Sequence, residues 1–277
     1  MSMFHKTIGL TLLILALLGN PLYSSVANAA AMDLPESTAA NLNKLMNAGE
    51  AVNAEKLKSA HAEYSMFRQQ EIELGRLIAH HHKTNEEALI LLRKQIRQID
   101  AMKLAAMQAE LTDTKERSKP LYALSESLYK QLKQAKLTKN KALVSQLEDN
   151  ILRIKPAILL TRQDVKNKET FLKEAKASAY KKIKDLRAMA DETTVTYAQL
   201  KMDKSVVSST LKLFSPQMKY LGKTAKAGDS AAALHALRTL TDYVRIVVEK
   251  QQRMYTLEQK IGTIISNAQV QLSRHSQ

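Results

Sequence analysis

Leucine, isoleucine, valine, methionine and alanine recur three and four positions apart along most of the chain, the spacing that gathers one face of an α-helix. In segment 33–79 this spacing holds at Leu42, Leu45, Leu57, Tyr64, Phe67, Leu74 and Leu77, with a turn expected near Ala48-Gly49-Glu50. The helix is expected to end near Ile78 or Ala79. The stretch from His80 to Glu87 reads as a polar turn, because Thr84 and Glu87 form a capping-box pair in which each side chain serves the other's backbone N–H. A second run, Leu89, Leu92, Ile96, Ile99, Met102 and Ala106, predicts a helix over 86–117, a rod of roughly 48 Å at about 1.5 Å per residue.

Ser118-Lys119-Pro120 either caps and starts a new helix or kinks a continuing one. The apolar spacing resumes at Leu121, Leu124, Leu128 and Leu132, and a polar link over 136–141 predicts a reversal. The returning helix places Leu143, Leu147, Ile151, Ile154 and Ile158 on one face, with Pro156 expected to bend it or remove a hydrogen bond. Its periodicity continues through Phe171, Ala175, Ala179, Ile183 and Leu186. Segment 191–210 is rich in Thr, Ser and Val, and the β-branching of Thr and Val narrows the side-chain choices available in a helix. Ser215-Pro216 reads as another helix start and Ala227-Gly228-Asp229-Ser230 as a turn.

In the last helix Leu240, Val247, Met254, Ile261 and Ala268 stand seven apart, accompanied by Leu237, Val244, Leu257 and Ile264, a coiled-coil seam. The expected fold is all-α: elongated antiparallel helical hairpins or a coiled-coil bundle. A flexible leader, 30–41, would precede one extended domain over 42–272 and a polar tail, 273–277.

Composition adds an address. Residues 1–29 follow the order of a cleavable signal peptide: Lys6, an apolar run from Ile8 to Leu18, a break at Gly19-Asn20-Pro21, and small residues at Ala27-Asn28-Ala29. The apolar run is too short for a bilayer, which needs about 20 residues. Cleavage after Ala29 would remove Lys6 and no acid, so the formal charge of +15 would become about +14. The chain has no cysteine, which excludes disulfides, lipid attachment through a thioether and thiolate chemistry. The reading is of a secreted or cell-envelope-associated protein.

The positive charge concentrates in 119–141 and 166–187, and Lys133, Lys136, Lys139, Lys173, Lys176, Lys181, Lys182 and Lys184 are the candidate anion-binding residues. Solvated helix faces produce the same counts. In an exported protein the partners would be an anionic cell-wall polymer such as teichoic acid, an acidic polysaccharide or an envelope protein, with peripheral membrane contact as a further option. Nucleic acid is disfavoured, since no zinc finger, basic zipper or aromatic RNA-binding signature accompanies the lysines.

No catalytic, cofactor or metal site is expected. His80, His81 and His82 point about 100° apart on a regular helix and do not automatically converge on one ion; a loop could bring two together with Glu86 or His61, but the sequence lacks a diagnostic ligand spacing. His235 sits in an apolar-periodic run and is expected to pack or hydrogen-bond, and Gly222 and Gly228 lie outside any nucleotide-binding pattern. These signals describe a helical scaffold or binding protein that recognises an acidic polymer or protein partner. The alternatives are a helical effector or toxin subunit acting at a membrane, and an enzyme of unrecognised class.

Overall fold

A computed structural model describes residues 32–48 and 51–276; the expected signal peptide and the expected turn at 49–50 lie outside them. Six helices follow in order: α1 Glu36–Ala48, α2 Ala51–Arg97, α3 Ala101–Leu137, α4 Lys141–Asp191, α5 Thr193–Ala227 and α6 Ser230–Ser276. No strand occurs among the described residues, and the fold is an all-α assembly of helical hairpins and bundle. No described helix is long and apolar enough to cross a membrane.

Several boundaries differ from the sequence reading, each for a local reason. Helix α1 begins at Glu36, inside the stretch read as a leader, and it buries Thr38 and Leu42. The polar stretch from His80 to Glu87 is not a turn but the middle of α2. Thr84 Oγ1 donates to the His80 carbonyl at 3.1 Å, which keeps the hydroxyl inside the helix instead of capping a new one. The break comes at Gln98–Asp100, where Asp100 takes a left-handed conformation (φ 54°) that few residues other than glycine, asparagine and aspartate tolerate.

Pro120, Pro156 and Pro216 lie inside α3, α4 and α5, and all three are exposed, so the carbonyls they leave unbonded face water. Segment 191–210 is helical within α5 despite its Thr, Ser and Val, and further along the same helix the Thr210 and Thr224 hydroxyls donate back to the Val206 and Tyr220 carbonyls. The turn before α6 is as expected: Gly228 adopts φ 80°, Asp229 N–H donates to the Thr224 carbonyl, and Asp229 Oδ1 caps α6 by accepting from Ala232 N–H.

The chain forms two compact units, one from residues up to Ile90 with Asp191–Asn267, the other from Leu91–Ala190 with the residues from Ala268 on. In the first, Met32, Leu42, Leu57, Phe214, Leu221, Leu237 and Leu240 build a core that is closed to solvent, and each such side chain contributes about 1.5–3 kcal/mol of burial. Contacts between α2 and α6 run in step: Asn53 with Ser230, Glu63 with Arg245, Glu71 with Gln251, His82 with Glu258. Both numbers rise together, so the two helices are parallel. Helix α5 pairs with α6 in the opposite sense, Gln217 meeting Ala236 and Asp203 meeting Arg253.

Two polar layers interrupt this apolar seam. In one, Arg68 and Glu71 form a buried pair, Asp33 accepts from Arg68, and Gln251 Nε2 donates to Glu71 at 3.0 Å. Burial pushes the Glu71 carboxyl above its ordinary range, against the opposing pull of the Gln251 hydrogen bond and the Arg68 guanidinium. A carboxyl raised in the folded state contributes stability below its unfolded value and loses it as pH rises through the folded one. Glu71→Gln should therefore match the wild type near pH 4 and melt higher at neutral pH, the gap widening between them; thermal melts of both proteins across that range check the sign.

In the second layer the fully buried Glu258 receives three contacts from α2: His82 Nδ1 at 2.7 Å, Asn85 Nδ2 on Oε2 at 2.7 Å, and Asn85 Nδ2 on the Glu258 carbonyl at 2.8 Å. Space for Asn85 comes from Gly262, where an added Cβ would lie 3.1 Å from the amide oxygen.

Candidate anion-binding site

All eight lysines singled out from the sequence belong to the second unit, whose long arms are α3 and α4. The half-buried and buried positions of α3 step three and four apart from Leu104 through Met107, Leu111, Thr114, Ser118 and Leu121 to Ala135, and those of α4 do the same from Val144 through Leu147, Ile151 and Ile154 to Leu186. That is a heptad repeat on each arm, with the seam at positions a and d. Cross-arm contacts fix the register: Asp100 with Lys182, Gln108 with Lys176, Thr114 with Lys168, Tyr122 with Arg162, Lys136 with Glu148. One number falls as the other rises, so the arms form an antiparallel coiled coil closed by the turn at 138–140, where Lys139 has φ 56°. Asn140 Oδ1 accepts from Leu143 N–H and starts α4.

The seam is partly polar. Thr114 and Ser118 replace apolar residues on α3, their hydroxyls donating back to the Glu110 and Thr114 carbonyls. Lys168 crosses from α4 to Thr114 and to Glu110, whose hydrogen bond holds the ammonium pKa above its ordinary value.

In an antiparallel pair the e positions of the two arms face each other on one side and the g positions on the other, and here the two sides differ. On the e side Gln108 meets Lys176, Lys115 meets Glu169, Tyr122 lies under Arg162 and Lys136 meets Glu148. Together with the adjoining b positions this face carries 11 Lys and Arg against Glu126, Glu148 and Glu169. Each of those acids is already held by a lysine, at 2.7, 2.9 and 2.6 Å. The face with the g and c positions carries four Lys and Arg against five acids. Among the described residues Lys133, Lys141, Lys155, Lys166, Lys173 and Arg187 on the basic face are exposed and make no ion pair. A linear anion laid along this side would meet cations whose charge the protein itself does not neutralise.

The predicted lysines divide over this frame. Lys133 and Lys136 lie on the basic face near the turn, where they line an open hollow with Tyr129, Leu132 and Leu137. Lys173 and Lys176 lie on the same face, about 38 and 42 Å along α4 from the level of Glu148 at a rise of about 1.5 Å per residue. The structure therefore spreads these four along one surface and does not gather them in one pocket. Lys139 belongs to the turn, Lys181 to the opposite face and Lys184 to the back of α4, while Lys182 reaches Asp100 at 2.9 Å. Lys155 falls outside the two segments chosen by local charge density. Its signal is the heptad register, which aligns Lys155 and Lys176 at e with Lys166, Lys173 and Arg187 at b.

The histidines serve other ends. His82 turns inward to Glu258, His81 packs edge-on against Tyr255 with ring centres 5.3 Å apart, and His80 is exposed. No group of three or more His, Asp or Glu able to hold a metal ion occurs among the described residues. His235, expected to pack or hydrogen-bond, is exposed. No protein-family model, curated protein or solved structure matches the chain.

Proposed function

We propose that the protein is a secreted, cell-envelope-associated helical binding protein that recognises an acidic polymer through the basic face of the α3–α4 hairpin. The observation that supports this reading is the segregation of charge: one side of the α3–α4 coiled coil concentrates unpaired cations, and the other is close to neutral. The apolar seam holds the arms in register, and the buried layers of the first unit hold α2 and α6 in theirs. Recognition is noncovalent and requires no bond to be made or broken. A repeating polyanion, such as a teichoic acid or an acidic polysaccharide, suits this row of cations better than a compact anion does, because apart from Lys133 and Lys136 at the hollow by the turn they are spread along the arms.

The test is binding of the full chain to cell-wall sacculi, with and without their anionic polymers, across a salt series. Retention on polymer-bearing sacculi that collapses between about 0.05 and 0.5 M salt is the expected result, since the screening length shortens several-fold over that range. Equal retention on stripped sacculi, or binding indifferent to salt, would sink the electrostatic reading.

A further inference from the structure

The turn half of the basic face also carries apolar side chains that the hairpin leaves uncovered. Leu152 and Leu159 are 67% and 55% exposed, seven residues apart at successive b positions of α4. Tyr129, 54% exposed, falls at the level of Lys155 between them and opens into the hollow with Lys133, Lys136 and Leu137. Single exposed leucines are ordinary on a protein surface, but these share one face with one another and with unpaired lysines. The covering partner must accept apolar side chains and supply negative charge.

Two occupants fit poorly. A second copy of the chain seated face to face would set this excess of lysine against itself. A third helix would seat over the e positions that flank the seam, where beside Tyr122 and Tyr129 it would have to cover the charges of Lys155, Arg162 and the paired Lys136 and Glu148. The leucines stand one step further out, where a flat surface reaches them.

We propose that the turn half of the hairpin rests on an anionic lipid surface. Tyr129, Leu152 and Leu159 enter the interface between headgroups and acyl chains, and Lys133 and Lys155 lie along it with their ammonium groups at the headgroup phosphates. This contact uses the leucines, which polymer binding does not, and it would place the remainder of the basic face close to the envelope.

The test is co-sedimentation of the full chain with vesicles of phosphatidylglycerol in phosphatidylcholine and with vesicles of phosphatidylcholine alone, beside binding of long-chain polyphosphate. The wild type should sediment with the anionic vesicles only. The double variant Leu152→Gln/Leu159→Gln should bind them on the order of tenfold more weakly, with polyphosphate binding and helix content unchanged. Undiminished vesicle binding by that variant would overturn the proposal, as would sedimentation with phosphatidylcholine alone. If immobilised polyglutamate shows the same dependence on the two leucines, the face fits an acidic polypeptide and the lipid assignment fails. A wild type that binds polyphosphate but no vesicles removes the lipid contact and leaves the polymer reading standing; one that binds neither removes both.

Discussion

Glu258→Ala is expected to lower the free energy of unfolding by about 3–5 kcal/mol, read from urea denaturation as a fall in midpoint. The side chain is wholly enclosed between α2 and α6, and it accepts from both His82 and Asn85. Truncation takes its acceptor from the half-buried His82 Nδ1, leaves the buried Asn85 amide only the Glu258 main-chain carbonyl, and opens space where a carboxylate had been, each a loss that is costly away from water. Glu258→Gln keeps the volume and one acceptor oxygen, so its cost should be nearer 1–2 kcal/mol. Replacing His82, Asn85 and Glu258 together by leucine should recover most of the loss, because no polar group then remains unmatched. The triple variant is informative about specificity: if the layer sets the parallel alignment of α2 and α6, the recovered stability should come with broadened NMR resonances from helices sampling other registers. A loss below about 1 kcal/mol for Glu258→Ala would show that water replaces the carboxylate and that the layer does not stabilise the bundle.

That layer also shows where the sequence was legible and where it was not. The seven-residue repeat Leu240, Val247, Met254, Ile261 and Ala268 is buried throughout, as its spacing requires. Apolar character alone gives its companion row as Leu237, Val244, Leu257 and Ile264. In the structure the row continues from Leu237 and Val244 to Gln251, Glu258, Ile265 and Leu272. Periodicity was the stronger signal, and side-chain polarity diverted it at the two places where the bundle hydrogen-bonds across its core. The same cause hid α2: His82 and Asn85 look like turn residues because their partner, Glu258, lies 176 and 173 positions away. Local pattern cannot reveal a partner at that distance. The reversals at 138–140 and at Gly228 were legible because their chemistry is local, a polar link in one and a left-handed glycine in the other. For the basic surface, charge density along the chain picks out the arms α3 and α4 but not the side of them on which the unpaired cations gather. Lys181 and Lys184 are as basic as Lys173, and only the heptad register separates them.

That separation carries the second large effect. Reversing Lys133, Lys155, Lys166 and Lys173 to glutamate changes the basic face from 11 cations and three acids to seven of each. All four side chains are exposed and unpaired among the described residues, so helix content and melting temperature should barely move. Binding to polymer-bearing sacculi should weaken on the order of a hundredfold at low ionic strength. The control reverses Lys103, Arg153, Lys181 and Lys184, four exposed cations off that face, for the same change in net charge. At about 0.1 M salt the screening length is roughly 10 Å, far shorter than the hairpin arms, so a bound chain responds to the charges it lies against and not to the total. The control should consequently retain binding within a few-fold of wild type. Equal losses in the two variants would mean that net charge alone attracts the polymer and would remove the basis for assigning a face. A loss confined to the first variant would tie binding to the register of the coiled coil, since the same number of cations in the same helices binds only where the heptad turns them to one side.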